Sequence, residues 1–239
     1  MDRVAPTRRP AGRPQGWQSW RELAFLHWPV PAEILRPTLP PGLELDTYDG
    51  VAWVGVVPFL MEGVRPWRIW PKFLAFRFPE LNLRTYVHRG GADPGVWFYS
   101  LDAASWLAVQ AARIGWSLPY FHATLGLQRE GDRVTYTSRR RRGRAHLDLT
   151  YRIGDALPPS DPASLEFFLF ERYLLYSWHR GRLYRGQVHH PPYGVHGVEV
   201  ERLDQSLLSA AGLPGENPPV LAHFSPGVDV EIFPLRPEK

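Results

Sequence analysis

Apolar residues run along this chain in short stretches cut by proline and glycine, and most of the stretches read as strands. Residues 21–28 form an apolar strand candidate ended by Pro29 and Pro31, because proline cannot donate to a central ladder. Residues 51–60, after the Asp49-Gly50 turn signal, are continuously apolar and β-branched in character, as expected of a strand buried on both faces. Residues 81–87 alternate instead: in a strand, Asn82, Arg84 and Tyr86 share one face and Leu81, Leu83, Thr85 and Val87 the other. Gly90-Gly91 then turns the chain into residues 96–100, a natural antiparallel partner. Residues 134–138 and 146–152 flank an arginine-rich tip as a hairpin. Residues 187–190 and 228–233 complete the strand candidates.

Helical signals are fewer. Residues 32–36 make one turn with Pro31 at its start. Residues 102–114 are alanine-rich and unbroken, with Gly115 at the C-cap position. Residues 164–179 form a second helix, with Ser164 as N-cap and Gly181 as its stop, and residues 204–211 a short one before Gly212. Residues 64–76 mix proline and aromatics with no period and read as a loop or flap. The order is an α+β pattern, mainly antiparallel β with a few helices, and not the βαβα alternation of a doubly wound fold.

Composition narrows this picture without changing it. The 25 prolines and 21 glycines suit many short strands joined by tight turns. With 239 residues and no internal repeat, one domain over residues 17–239 is the economical reading, preceded by a disordered basic tail over residues 1–16. The absence of cysteine excludes a disulfide framework, a thiolate metal site and a cysteine nucleophile, and fits a reducing, cytoplasmic location. No stretch approaches the roughly 20 apolar residues of a membrane-spanning helix, so no membrane is expected. Net charge is +4, and only Lys72 and Lys239 are lysines. The one dense basic run, Arg139 to Arg144, reads as a solvated hairpin tip, so no nucleic-acid partner is expected.

The standard signatures of nucleotide, dinucleotide, zincin and α/β-hydrolase chemistry are absent. Candidate chemistry rests on four places. Asn82, Arg84 and Tyr86 can line a pocket, with Arg84 offering a planar fork to a carboxylate and the other two orienting a substrate oxygen. The alternatives are that they face solvent, or that Arg84 pairs with Glu80 or Asp102. His189 and His190, adjacent in a strand, point to opposite faces and cannot easily share an ion. With no further ligand at suitable spacing, no metal is expected; one histidine packs and the other looks into a cavity. Glu171, in an apolar helix, needs a partner; an ion pair with Arg185 is the default reading, and a pocket carboxylate of raised pKa the sharper one.

Several segments together resemble the YqjF-like family, a domain of unknown function (2071). They are His27-Trp28-Pro29-Val30-Pro31, Leu39 to Asp46, Gly55 to Phe59, Glu80 to Val87, Gly95 to Ala103, Glu171-Arg172-Tyr173, Arg185 to Pro192 and His223 to Val230. That family is similar in turn to acetoacetate decarboxylase. The resemblance implies a curved barrel or cone of β-structure around a central cavity, and edge pairing into a homo-oligomer. The decarboxylase uses a Schiff-base lysine in a motif whose counterpart here runs Trp116 to His122, where Tyr120 and Phe121 stand in place of lysines. A phenol and a phenyl ring cannot form an imine. The resemblance therefore implies a cavity without that lysine and without a cofactor. It would bind a small organic acid or keto compound through Arg84, with Tyr120, His122 or a later histidine as polar wall. Lyase-type or proton-transfer chemistry with a histidine or Glu171 as acid or base is one outcome, and a non-catalytic binding or sensing protein or a protein-interaction module is the other.

Overall fold

The computed structural model describes residues 1–65, 75–105, 117–215 and 218–238. Thirteen strands form one mixed sheet in the order β13-β10-β9-β5-β6-β7-β8-β11-β12-β1-β3-β4-β2, with β4 also pairing β5 and β10 also pairing β12. The long central strands are β1 (Gly16–Val30), β3 (Ala52–Arg65), β4 (Phe76–Arg89), β5 (Ala92–Ala103) and β12 (Leu221–Ile232). β2 (Glu44–Leu45) and β13 (Arg236–Pro237) are two-residue edge strands, short enough to offer little template for further pairing. β6 (Tyr120–Glu130), β7 (Arg133–Arg140), β8 (His146–Ala156) and β11 (His196–Gln205) make an antiparallel wing, while β9 (Leu174–His179) and β10 (Arg182–His189) make a hairpin. β5 runs parallel to both β6 and β9, which makes the sheet mixed.

The alternation of β4 falls as its pattern predicts. Leu81 and Leu83 enter one core with Ala24, Leu26, Val54, Val56, Leu147 and Leu149. The opposite face of the same strands builds the other core, with Phe25, Trp53, Val57, Phe59, Phe78 and Tyr86. Two faces of one set of strands thus serve two interiors, which explains why β3 is buried from Ala52 to Met61.

Three expectations change. The helix expected over residues 164–179 is only α2 (Leu165–Phe170), although Ser164 does cap it, its Oγ accepting from Phe167 N at 3.1 Å. α1 is Ala32–Leu35 and α3 is Leu207–Ala210. Residues 174–179 are strand because they pair β10 on one side and β5 on the other. Gly181 is therefore a hairpin residue: Arg180 and Gly181 both take positive φ (48° and 76°), as a two-residue type I′ turn requires. β1 runs past Pro29 to Val30, with Pro29 exposed. The N-terminal segment lies against the domain in place of the expected disordered tail. Arg3 bonds Asp46 at 2.6 Å and sits over the Phe168 ring, Pro6 is buried, and Arg9 pairs with Glu231. Its arginines have carboxylate and aromatic partners that sequence proximity does not reveal.

Of the helix expected over residues 102–114, residues 102–103 lie in β5, residues 104–105 are not helical, and the rest falls outside the described residues, as does Gly115; so does the centre of the expected flap, residues 66–74. Among the described residues no helix is long and apolar enough to cross a membrane.

Candidate functional site

Register places the polar face of β4 within the more aromatic core. His27 of β1, Gly55 of β3, Arg84 of β4 and Phe98 of β5 align across four strands. The next row is Val57, Asn82, Leu101 and Tyr120, and the one beyond it Phe59, Glu80, Ala103 and His122. Aligned residues share a face, so Glu80, Asn82, Arg84 and Tyr86 project together.

Arg84 lies at the centre of this face, 8% exposed. Its Nη2 donates to the Leu169 carbonyl at 3.1 Å, and its guanidinium sits 5.9 Å from the Phe25 ring centre and 5.7 Å from that of Tyr86. Tyr86, fully buried, donates its hydroxyl to the same carbonyl at 3.1 Å and lies 2.7 Å from His27 Nε2. The Leu169 carbonyl belongs to the last turn of α2, where carbonyls lack intrahelical partners. Arg172 Nε donates to the neighbouring Phe168 carbonyl at 2.6 Å, and its Nη1 donates to the buried Asp46 carboxylate at 2.8 Å. Two cations thus close the negative end of this helix, a favourable match to its dipole. Part of Arg84's role is structural. Its Nε, however, is buried without a hydrogen-bond partner among the described residues, and so is the Oδ1 of Asn82, 6% exposed and two residues away.

His27 is wholly buried, and desolvation, helped by the Arg84 and His223 charges, holds it neutral, well below the usual histidine range. Gly55 makes room for it. A Cβ there would stand 3.1 Å from His27 Nε2 and 3.3 Å from the Tyr86 hydroxyl.

The histidine pair separates as adjacent strand residues must. His189 is half-buried, while His190 is 2% exposed. His190 stacks on Tyr173 at 4.2 Å and approaches Tyr193 at 4.7 Å and Trp20 at 5.6 Å. Tyr193 in turn packs edge-on to Phe25, 5.4 Å away, which carries the chain of contacts back to Arg84. Glu171 does not pair with Arg185, as expected by default; Arg185 bonds Asp93 and Glu238. The Glu171 carboxylate instead accepts from the Tyr173 hydroxyl at 2.6 Å and from Tyr193 N at 3.1 Å, tying down the loop that carries His190 and Tyr193. Burial raises its pKa, opposed by those two hydrogen bonds.

Tyr120 donates to Glu80 Oε2 at 2.9 Å. Burial pushes the Glu80 carboxyl up to about 8, against the Tyr120 hydrogen bond and with help from the Asp102 charge. Asp102 is itself raised to about 6 by burial, although Arg140 bonds both its oxygens at 2.8 and 3.0 Å. Arg140 is therefore not part of a solvated tip, unlike the exposed Arg141, Arg142 and Arg144. His122 shares the Tyr120 face but is half-buried, and its side chain makes no hydrogen bond among the described residues.

The structure thus places Asn82, Arg84 and Tyr86 on one face of β4 with Tyr120 in the next strand but one, and His190 apart from them, reached through Tyr193 and Phe25. It leaves His122 and His189 at its margin and gives Glu171 a supporting place. Sequence reasoning missed Glu80, His27, Trp20 and Tyr193 as members. Extending the alternation of β4 by one step would have found Glu80. Two surface depressions, of about 400 and 380 Å³, lie elsewhere, along Trp17–Ser19 and around Pro29–Glu33. Among the described residues no three histidine or carboxylate side chains converge as metal ligands.

A family model for uncharacterised conserved proteins, DUF2071, matches residues 17–229. The chain is 41% identical over 223 residues to the uncharacterised protein YqjF of Bacillus subtilis (strain 168), covering 92% of this chain and 90% of that one. Among solved structures, the enduracididine biosynthesis enzyme MppR complexed with pyruvate aligns with a TM-score of 0.67 at 13% identity, over 95% of this chain and 91% of the other. Acetoacetate decarboxylase from Legionella pneumophila aligns with a TM-score of 0.63 at 14% identity, over 100% and 96%. At these identities the likeness to the solved structures is one of fold.

Proposed function

Since the chain belongs to the DUF2071 family and its fold is like those of MppR and acetoacetate decarboxylase, we propose that it binds a small organic acid or keto compound at the Arg84 face. The observation that carries this reading is the buried Arg84 Nε, which has no partner among the described residues, on the same strand face as the equally unpartnered Asn82 Oδ1. Leaving buried polar atoms unpaired costs on the order of 1–3 kcal/mol each, and a carboxylate or carbonyl oxygen on Nε would remove part of that cost. The β4–β5 and β10–β12 pairings, which join strands far apart in the order, support a sheet that curves around this interior. MppR holding pyruvate on a similar fold supports the ligand class.

Catalysis here would not use an imine, because Tyr120 and Phe121 occupy the places the decarboxylase gives to lysine. Glu80 is the residue best suited to proton transfer: it keeps its proton near neutral pH, and the Tyr120 hydroxyl fixes its orientation. A carbonyl compound anchored by Arg84 with its carbonyl oxygen toward Glu80 would accept a hydrogen bond from that protonated carboxyl, so Glu80 would serve as the acid. Such a protein is cytoplasmic and acts on a metabolite without a cofactor.

The test is thermal stabilisation by small carboxylates, with wild type compared to Arg84→Gln. The glutamine can still donate to the Leu169 carbonyl. A ligand at 100 times its Kd stabilises by about 2.7 kcal/mol, which is a shift of roughly 5–11 °C at this size. The shift is expected in the wild type and lost in the variant. An equal shift in both removes Arg84 from the site.

A further inference from the structure

Away from the Arg84 face, β8 and β11 bring a serine, a histidine and a carboxylate together at the wing. Ser206 follows the last residue of β11 and pairs with the first residue of β8, its N donating to the His146 carbonyl at 3.1 Å. His146 N in turn donates to Ser206 Oγ at 3.1 Å, which keeps the two side chains on one face of the ladder. His146 Nε2 lies 3.1 Å from Asp204 Oδ1, and its Nδ1 lies 2.8 Å from Ser206 Oγ. An ionised Asp204 can only accept, so the neutral imidazole carries its proton on Nε2 and leaves a lone pair on Nδ1. Two groups reach that lone pair, the Arg144 carbonyl at 3.4 Å and the Ser206 hydroxyl. Only the hydroxyl has a proton to give. The Ser206 hydroxyl therefore donates to a base whose far side is held by a carboxylate, the arrangement that activates a serine. Relative to the Ser-His-Asp hydrolases the two ring nitrogens are exchanged, and either nitrogen can take up a proton. His146 and Ser206 are half-buried and Asp204 is exposed, so a reagent in solvent can reach the hydroxyl.

We propose that Ser206 is a nucleophile that takes acyl groups from activated esters, with His146 as its base and Asp204 orienting the ring. Oγ forms a bond to the acyl carbon as the bond from that carbon to the departing oxygen breaks. The Oγ proton passes to His146 Nδ1 and from there to the departing oxygen, and Asp204 balances the imidazolium between the two transfers. Arg141, Arg142 and Arg144 stand exposed on the turn whose Arg144 carbonyl lies 3.3 Å from Ser206 Oγ. Acyl donors with an anionic leaving group suit such surroundings. This site shares no residue with the Arg84 face and stands independently of it.

The probe is p-nitrophenyl acetate, followed by p-nitrophenolate release and by peptide mass mapping of the acetylated protein. Only Lys72, Lys239 and the N-terminus compete as amines, so background acylation is low. Wild type is expected to release p-nitrophenolate and to carry the acetyl group on Ser206. His146→Gln is expected to slow that acetylation by about 100-fold, Asp204→Asn by about fivefold, and Ser206→Ala to abolish it. Within wild type alone, Ser206 is expected to be acetylated ahead of every other serine, a readout independent of whether the variants fold. Acetyl groups confined to the amines, with Ser206 unmodified, would overturn the proposal. Acetylation of Ser206 at an unchanged rate in folded His146→Gln would overturn it as well.

Discussion

The two faces of strands β1, β3 and β4 make a natural comparison. On one, Ala24, Leu26, Val54, Val56, Leu81 and Leu83 pack against the β7–β8 hairpin in an almost wholly hydrocarbon core. On the other, the same strands present Phe25, His27, Gly55, Glu80, Asn82, Arg84 and Tyr86. The first face has little chemistry and contributes burial, at about 25 cal/mol per Å² of apolar surface. The second holds a cation, a carboxyl pushed up to about 8 and neutral histidines in a buried interior, some with polar atoms unpaired among the described residues. Such an arrangement is costly in a purely structural core, and the hydrocarbon face next door shows that these strands do not need it to pack.

The largest expected effect belongs to the hydrocarbon face. Leu83→Ala should lose about 3 kcal/mol, since it removes buried methyl groups and leaves a void. Urea denaturation would show this as a lower midpoint at unchanged slope. Ligand affinity of the folded protein should hold, and a loss of binding equal to that in Arg84→Gln would erase the distinction between the faces.

Glu80→Gln should act with the opposite sign. An unfolded glutamate ionises above about pH 4.5, whereas the folded Glu80 keeps its proton to about pH 8. Between those values the folded state binds the extra proton, so wild-type stability falls as pH rises. The amide removes that slope, so the variant should be more stable than wild type by a margin that grows as pH rises towards 8. Melting curves collected from pH 5 to 8 would show the two proteins diverging; parallel curves would mean Glu80 is ionised in the fold.

Tyr86→Phe is the smaller perturbation. It deletes the partner of a fully buried imidazole nitrogen and one of two donors to the Leu169 carbonyl, at about 1–2 kcal/mol. Gly55, whose hydrogen faces that pair, should tolerate alanine only with a shift of a few tenths of an ångström.

Much of this was legible in the chain itself. The alternation from Leu81 to Val87 assigned each side chain of β4 to its correct face, because a half-polar strand carries its own period. The arginine-tipped hairpin and the Ser164 cap were equally local signals. Residues 174–179 misled because a run apolar on every side carries no period, and only pairing with β10 and β5 makes it strand. Partners distant in sequence were the least visible. Nothing near Glu171 indicates that its carboxylate holds the Tyr193 backbone, and nothing near Asp46 indicates that Arg3 and Arg172 converge on it. His27 looked like one polar residue in an apolar strand until register set it beside Tyr86.

The most direct test of the Arg84 face is a crystal structure of the protein soaked with pyruvate. The account predicts a carboxylate oxygen within hydrogen-bond distance of Arg84 Nε, with α2 and its Leu169 contacts undisturbed. Pyruvate found only in a surface depression, with the Arg84 face closed or filled by ordered water, would contradict it.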